Sequence, residues 1–217
     1  MVRLPLTVDG CEVRSWRTED AGELARHANN RKIWLNLRDS FPHPYTLDDA
    51  QQFLSGAVGK SPELDYCIAA DDRAIGGIGL RPNCDVERFS AEIGYWLGEE
   101  FWGRGIVTAA VTAVTRHGFE SLGYNRVFAL PYARNEPSCR LLHKAGCGKA
   151  RLGTAGLRTS SCTRPSSRSA NEAPQGGQNW LTACPASRNN LARGRPLWDR
   201  SPTILPFFAI LGSARGR

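Results

Sequence analysis

Long apolar runs are missing from this 217-residue sequence. It contains no stretch of about 18 apolar residues that could span a membrane, and its N-terminal residues MVRLPLTVDGCEV lack the apolar core of a signal peptide. Closely spaced cysteines are also missing, since none of the seven cysteines forms a Cys-x-x-Cys pair, and the four histidines are scattered. We therefore expect a cytoplasmic protein with free thiols, no metal site and no disulfide framework.

An excess of positive charge is missing from the first two thirds of the chain. Residues 1–146 carry 17 basic and 19 acidic side chains, a net charge of −2, whereas residues 147–217 carry 11 and 2, a net charge of +9. Hydrophobic residues make up 41% of the chain, as in ordinary globular proteins. The step in charge predicts a boundary near Gly146, between a folded domain at 1–146 and a C-terminal tail at 147–217.

The spacing of apolar residues predicts alternating strands and helices in residues 1–146. The N-terminal half of this region has a strand at Cys11–Ser15, a helix capped by Thr18 and ending near Ala28, and a loop with a short helical turn at 29–45. A helix at Leu47–Ala57 capped by Thr46 follows, and then a hairpin of strands 65–70 and 74–80 across Asp71, Asp72 and Arg73. Further on come a strand at 126–130 and a helix with Pro137 in its first turn.

The stretch at 91–121 organises the rest of the domain. Residues 91–97 alternate as a strand does, and from Ile106 the apolar residues follow one helical stripe at Val107, Ala110, Val111, Val114 and Gly118. Gly103, Arg104 and Gly105 lie between the two elements. Glycines let a ligand approach the backbone, and the positive end of the helix together with Arg104 favours an anion such as a pyrophosphate. The spacing matches neither a Walker loop nor a dinucleotide fingerprint.

Two motifs in residues 1–146 resemble those of the GNAT superfamily of N-acetyltransferases, in particular its RimJ/RimL-type branch. Gly-Tyr-Trp-Leu at 94–97 and Trp-Gly-Arg-Gly-Ile-Val-Thr-Ala-Ala at 102–110 resemble its acetyl-CoA motif. Residues 135–146, with Asn135 and Ser138, resemble its second motif, and 36–39 and 41–46 are similar to a loop of the same branch. The resemblance implies an α/β (α+β) GNAT fold, with a mixed, mostly antiparallel central sheet flanked by helices.

The resemblance also implies a function and a set of cofactor contacts. We expect an acetyl-CoA-dependent transferase that acetylates a primary amine, first of all a protein N-terminal α-amine, with a polyamine or an aminoglycoside as the alternative acceptor. The pyrophosphate cradle would be Trp102, Gly103, Arg104, Gly105, Ile106, Val107 and Thr108, and the pantetheine arm would bind the backbone of Tyr95, Trp96 and Leu97 and the side chain of Asn135. Val107 stands where the family has Ala or Gly, so we expect lower cofactor affinity.

Candidate catalytic and acceptor-binding residues follow from the same resemblance. Glu92 is the candidate general base, although a solvated strand carboxylate is the plain alternative. Ser138 is the candidate proton donor, because Leu142 occupies the position of the usual tyrosine; alternatively its hydroxyl only bonds the helix backbone. The acceptor pocket would be lined by Trp34, Arg38, Asp39 and Tyr45, of which the two aromatic residues are otherwise core or rim side chains.

The last third of the chain departs from the family pattern after Gly146. It holds ten arginines but one lysine, with runs rich in serine, glycine and proline. A basic tail that contacts nucleic acid or the ribosome, a tail without a role, and an out-of-frame translation are three interpretations, and we favour the third. We expect the C-terminal strands of the sheet to be missing or replaced, which would leave the strand at 126–130 with an open edge. A non-catalytic CoA-binding or nucleic-acid-associating protein, monomeric or homodimeric, is the remaining alternative.

Overall fold

The computed structural model describes residues 1–8, 10–148, 151–152 and 158–163. These residues fall into two compact units. The first contains Met1–Gly79 and Tyr95–Ala113, and the second contains Leu80–Gly94 and the described residues from Val114 onward. No helix in these ranges is long and apolar enough to cross a membrane.

Within the described residues, eight strands form a mixed sheet. They are β1 (Arg3–Pro5), β2 (Cys11–Ser15), β3 (Asp65–Ala70), β4 (Arg73–Pro82), β5 (Ser90–Leu97), β6 (Arg126–Ala129), β7 (Arg151–Leu152) and β8 (Arg158–Thr163). Their order in the sheet is β1-β2-β3-β4-β5-β6-β8-β7. The pairs β1–β2, β2–β3, β3–β4, β6–β8 and β7–β8 are antiparallel, whereas β5–β6 is parallel. The predicted mixed, mostly antiparallel sheet is confirmed.

In the part of the chain that the structure describes, five α-helices accompany the sheet: α1 (Ala21–Ala28), α2 (Arg31–Trp34), α3 (Leu47–Ala57), α4 (Ile106–Glu120) and α5 (Glu136–Lys144). Thr46 caps α3 as predicted, because its hydroxyl accepts the Asp49 N–H at 3.2 Å and the Asp49 carboxylate accepts the Thr46 N–H at 2.8 Å. The predicted cap at Thr18 is wrong. A 3-10 turn at Thr18–Asp20 precedes α1, and the Thr18 hydroxyl donates to the neighbouring Glu19 carboxylate instead.

The hairpin between β3 and β4 is confirmed, but its connection is one residue shorter than the predicted Asp71-Asp72-Arg73, because β4 already begins at Arg73. Asp71 and Asp72 adopt φ values of 47° and 64°. Two successive residues at positive φ are typical of a type I′ turn, whose twist matches that of the flanking strands. Aspartate tolerates this conformation better than most residues do.

The core of the first unit is built around large aromatic side chains. Trp16, Leu24, Phe41, Leu54 and Trp96 are all at most 5% exposed and belong to one apolar cluster. Helices α1 and α3 contribute their apolar faces to this cluster, and the strands contribute the inward-facing residue of each alternating pair. Burial of these side chains is the main favourable contribution to folding of the unit.

A buried ion pair joins three segments of the first unit. The Nη1 and Nη2 atoms of Arg14, on β2, each lie 2.8 Å from one carboxylate oxygen of Asp20, and both residues are buried. Nη2 also donates to the carbonyl of Asp72 in the β3–β4 turn at 3.0 Å. The Asp20 carboxylate accepts the backbone N–H of Arg17 at 2.9 Å, which fixes the start of α1. One guanidinium therefore holds β2, the start of α1 and the hairpin together.

The second unit corrects two expectations from the sequence. β6 does not have an open edge, because Arg126–Ala129 pairs with residues 160–163 of β8. Of the two expected alternatives, missing or replaced C-terminal strands, the first is wrong: β8, a strand rich in serine and threonine without apolar alternation, lies beside β6, and β7 pairs with its other side. Cys147 and Cys162 form a disulfide, so the prediction of free thiols is wrong at this pair. The other interpretations of the tail concern residues 149–150, 153–157 and 164–217, which lie outside the described residues.

Replacing Asp20 with Ala is expected to lower the free energy of unfolding by about 3 kcal/mol, because it leaves the Arg14 guanidinium buried without its anion. Urea unfolding followed by circular dichroism measures the change. The matched control is Glu136→Ala, which removes an exposed pair with Arg140 and should cost less than about 0.5 kcal/mol. Equal losses in the two variants would contradict the role given to Arg14.

Candidate functional site

The turn between β5 and α4 is open above its glycines. Gly103 and Gly105 adopt φ values of 78° and 79°, in the left-handed region that side chains with a Cβ rarely adopt. A Cβ built on either glycine would meet no heavy atom within 4 Å. The requirement for glycine here is therefore conformational, and the space above the turn is available to a ligand.

The N-terminus of α4 begins directly after this turn. Its first helical hydrogen bond joins the Ala109 N–H to the Gly105 carbonyl at 3.1 Å. The N–H groups of the residues before Ala109 have no acceptor in the preceding turn of the helix, as at every helix start. Ile106 is buried and anchors the helix, whereas Val107 and Thr108 are half-buried. An anion above the turn would meet the positive end of the helix dipole.

Two side chains fix the shape of the turn. Trp102 donates its indole Nε1–H to the Leu97 carbonyl at 2.8 Å, while 46% of the residue is exposed. Arg104 donates from Nη2 to the Glu100 carbonyl at 2.9 Å, and its guanidinium lies 5.4 Å from the centre of the Phe101 ring. Both side chains bind the chain within five residues of themselves. The turn is thus held by local contacts, and the charge of Arg104 stays at its rim.

The C-terminal end of β5 extends past its pairing with β6. The last parallel pair joins Glu92 to Phe128, whereas β5 continues to Leu97. The Gly98 N–H donates to the Ile75 carbonyl at 2.8 Å on the β4 side. Because backbone groups alternate between the two edges of a strand, Leu97 faces the other edge, where Trp102 binds its carbonyl. Trp96 has its side chain in the core, so any contact of this residue with a ligand would be through the backbone.

Asn135 and Ser138 lie at the start of α5, in the second unit. Asn135 is the N-cap of this helix, and its Oδ1 accepts the Ser138 N–H at 3.2 Å. The NH₂ group of the carboxamide is therefore the part of Asn135 that the cap does not use. Ser138 is half-buried. Leu142 is fully buried one turn later, where a tyrosine would have supplied a proton.

Glu92 also belongs to the second unit. It lies within β5 opposite Phe128 and is half-buried. This environment is compatible with either of the two roles that the sequence suggests, a base or a strand carboxylate, and both stay predictions.

The predicted acceptor residues lie in the first unit, on α2 and the loop after it. Trp34 donates its Nε1–H to the Phe41 carbonyl at 3.0 Å and stacks on His43, with ring centres 5.3 Å apart. Tyr45 is 4% exposed and stacks on Phe41, and burial raises the pKa of its phenol. Its ring is therefore a core side chain. Asp39 is exposed, and Arg38 is half-buried with its carbonyl accepting the Phe41 N–H at 2.9 Å.

The sequence patterns do not predict a network of charged residues that lies beside the turn. The side chain of His27, on α1, lies 3.4 Å from carboxylate oxygens of both Glu23 and Glu100. Burial, and next the charge of Arg26, lower the pKa of His27. A Cβ on Gly98 would lie 2.8 Å from its Nδ1, so α1 packs closely on the chain leading to the turn. The only available signal was the Glu99-Glu100 dipeptide before the motif.

The structure therefore brings part of the predicted site together. The turn of Gly103 and Gly105, residues 95–97 and the predicted acceptor residues at 34–45 (the acceptor segment) all belong to the first unit. Glu92, Asn135 and Ser138 belong to the second. Within the described ranges, no group of three His, Cys, Asp or Glu side chains is arranged to hold a metal ion.

Comparisons with known proteins agree with this architecture. Residues 11–148 match the family model described as the acetyltransferase (GNAT) domain. The uncharacterized N-acetyltransferase p20 of Bacillus licheniformis is 35% identical over 143 residues, which are 64% of this chain and 80% of that protein.

Two solved structures share the fold. Mycobacterium smegmatis RimJ in complex with CoA-disulfide superposes with a TM-score of 0.64 at 22% identity, over 83% of this chain and 93% of that one. RimL, a ribosomal L7/L12 α-N-protein acetyltransferase in complex with coenzyme A, gives a TM-score of 0.61 at 18% identity, over 75% and 98%.

Gly103→Ala is expected to lower the free energy of unfolding by about 1 to 2 kcal/mol, since alanine pays the cost of the left-handed conformation. Gly22→Ala is the matched control, because Gly22 is exposed in α1 and its replacement should raise stability by about 0.5 kcal/mol. Urea unfolding measures the change in the free energy of unfolding for both variants. Stabilisation by both substitutions would contradict the positive φ at Gly103.

Proposed function

Because the chain belongs to the GNAT acetyltransferase family, we propose that it transfers the acetyl group of acetyl-CoA to the α-amine at the N-terminus of a protein. The observation that carries this proposal is the open turn of Gly103 and Gly105 at the N-terminus of α4. When bound, acetyl-CoA supplies an acetyl group activated as a thioester. All other contributions come from residues of this chain.

The turn would hold the pyrophosphate of the cofactor. Free N–H donors at the start of a helix and the helix dipole both favour phosphate groups, and glycines let the backbone approach them. Arg104 adds a positive charge at the rim, where the Glu100 carbonyl and the Phe101 ring hold it. The edge of β5 beyond Glu92 is suited to hydrogen bonds with the pantetheine arm. The NH₂ group of Asn135 offers a further donor.

An α-amine is the acceptor that asks least of the catalytic groups. With a pKa of about 8 it is roughly 10% unprotonated at pH 7, a cost of about 1.4 kcal/mol, whereas a lysine with a pKa of about 10.4 costs about 4.6 kcal/mol. A half-buried carboxylate such as Glu92 can meet the smaller demand through a water. The description of RimL as an α-N-protein acetyltransferase supports the same acceptor class.

Two residues would move protons in the reaction. Glu92 would take the proton of the attacking amine, and the Ser138 hydroxyl would give a proton to the departing thiolate. Ser138 suits this role because its N–H is already bound by Asn135, which fixes the residue in the first turn of α5. Leu142 has no proton to give.

Acetyl-CoA binding tests the cofactor site. Isothermal titration calorimetry on the full chain should show micromolar binding, and the Gly103→Ala/Gly105→Ala variant should lose at least tenfold in affinity, because its turn cannot keep the donor geometry. Gly22→Ala should bind as the unchanged chain does. Failure of the unchanged chain to bind acetyl-CoA would refute the proposal.

Thiol release with peptide and small-amine acceptors tests the reaction and its residues. Glu92→Gln should lower kcat by about 100-fold, the lower end for a general base, and Ser138→Ala by at least tenfold. Ser55→Ala, at an exposed position of α3, is the control and should leave kcat unchanged. A loss below about fivefold would remove the role of the tested residue. If a polyamine is acetylated faster than any peptide, a small amine and not a protein N-terminus would be the acceptor.

A further inference from the structure

Two carboxylates stand directly before the turn proposed to bind pyrophosphate. Glu99 and Glu100 begin the 3-10 turn at Glu99–Phe101, which leads into Trp102. Charge alone would make them unfavourable neighbours of an anionic ligand. Each is instead paired with a side chain from the α1–α2 region. Glu100 accepts from Nη2 of Arg26 at 3.1 Å, and Glu99 binds Asn30 and Lys32.

Asn30 connects Glu99 to the start of α2. Its Nδ2 donates to Oε2 of Glu99 at 2.8 Å, while its Oδ1 caps α2 by accepting the Lys32 N–H, also at 2.8 Å. The second carboxylate oxygen of Glu99 contacts the Lys32 ammonium. Hydrogen bonds from Lys32 first, and then from Asn30, lower the pKa of Glu99. One carboxamide thus serves both elements at once.

The element that Asn30 caps carries a predicted acceptor residue. α2 spans one turn and ends at Trp34, whose indole binds the Phe41 carbonyl seven residues later. A helix this short depends on its cap and on tertiary contacts for its geometry. The cavity beside it, about 360 Å³ in volume, is lined by Arg26, His27, Asn29, Asn30, Glu99 and Glu100. This cluster therefore joins the residues directly before the turn to the residue that caps α2.

We propose that Asn30 and Glu99 are positioning residues that couple the acetyl-CoA turn to the acceptor segment. The inference rests on the proposed function, since it assigns partners to the same turn. Acetyl-CoA that orders the turn would also order α2 through the Asn30–Glu99 bond. By reciprocity, an acceptor bound at α2 would strengthen acetyl-CoA binding by the same factor.

Glu99→Ala tests the coupling because positioning and plain electrostatics predict opposite signs. Removing a negative charge near an anion site should tighten acetyl-CoA binding, whereas loss of positioning should weaken it. We expect calorimetry to give a dissociation constant about fivefold to tenfold higher, the size of coupling within one hydrogen-bond network. Asn30→Ser should show the same loss, because serine keeps the α2 cap but cannot reach Glu99.

The double variant Asn30→Ser/Glu99→Ala should bind no more weakly than either single variant, since both remove one bond. KM for the acceptor should rise in parallel, while kcat changes less than twofold. Glu120→Ala, at the exposed end of α4, is the control and should leave acetyl-CoA binding within twofold. Thermal unfolding of each variant checks that the fold is retained.

Several outcomes would overturn the inference. Tighter binding by Glu99→Ala would show that the residue acts through its charge, and additive losses in the double variant would show two independent effects. Unchanged affinity in both single variants, with the unchanged chain binding acetyl-CoA, would remove the coupling and keep the proposed function. No binding by the unchanged chain would remove both.

Discussion

The Arg14 guanidinium is the contact on which the arrangement of the first unit depends. It is buried, and it satisfies the Asp20 carboxylate at the start of α1 and the Asp72 carbonyl of the β3–β4 turn. α1 in turn carries Arg26 and His27 to Glu100, which precedes the turn of Gly103 and Gly105. The hairpin fixed by Asp72 contains Ile75, whose carbonyl binds Gly98. The buried Arg14 guanidinium is therefore connected to residues 98–100 in two ways, through α1 and through the β3–β4 hairpin.

Much of the fold could be predicted because local pattern and tertiary environment agree. The alternation in β5, the glycines before α4 and the capping residues of α3 all act within a few positions of each other, so the sequence displays them directly. Thr18 does not cap α1, because its hydroxyl donates to Glu19, and the Asp20 carboxylate accepts the Arg17 N–H while it also binds Arg14. β8 could not be predicted, because it has no apolar alternation and is defined by its pairing with β6 and β7.

The sequence likewise predicts one part of the candidate site and not the rest. The turn could be found because its glycines are required by the backbone itself. The Asn30–Glu99 bond joins residues 69 positions apart, and no periodicity relates them. The same holds for Cys147 and Cys162, whose pairing follows from the strand that brings them together. Sequence patterns therefore identify functional groups that lie within one segment, but they do not identify contacts between distant segments.

The glycines of the turn have a consequence for how related genes are interpreted. Their left-handed φ values are required for the chain to pass from β5 to α4, whether or not anything binds above them. A descendant that had lost catalysis would still be selected to keep both glycines, because folding alone demands them. Asn30 and Glu99 are under no such backbone demand, since many polar residues can stand at an exposed turn or a helix cap. If a related sequence has lost this pair but kept the glycines, the loss would indicate declining activity before any change in the turn does.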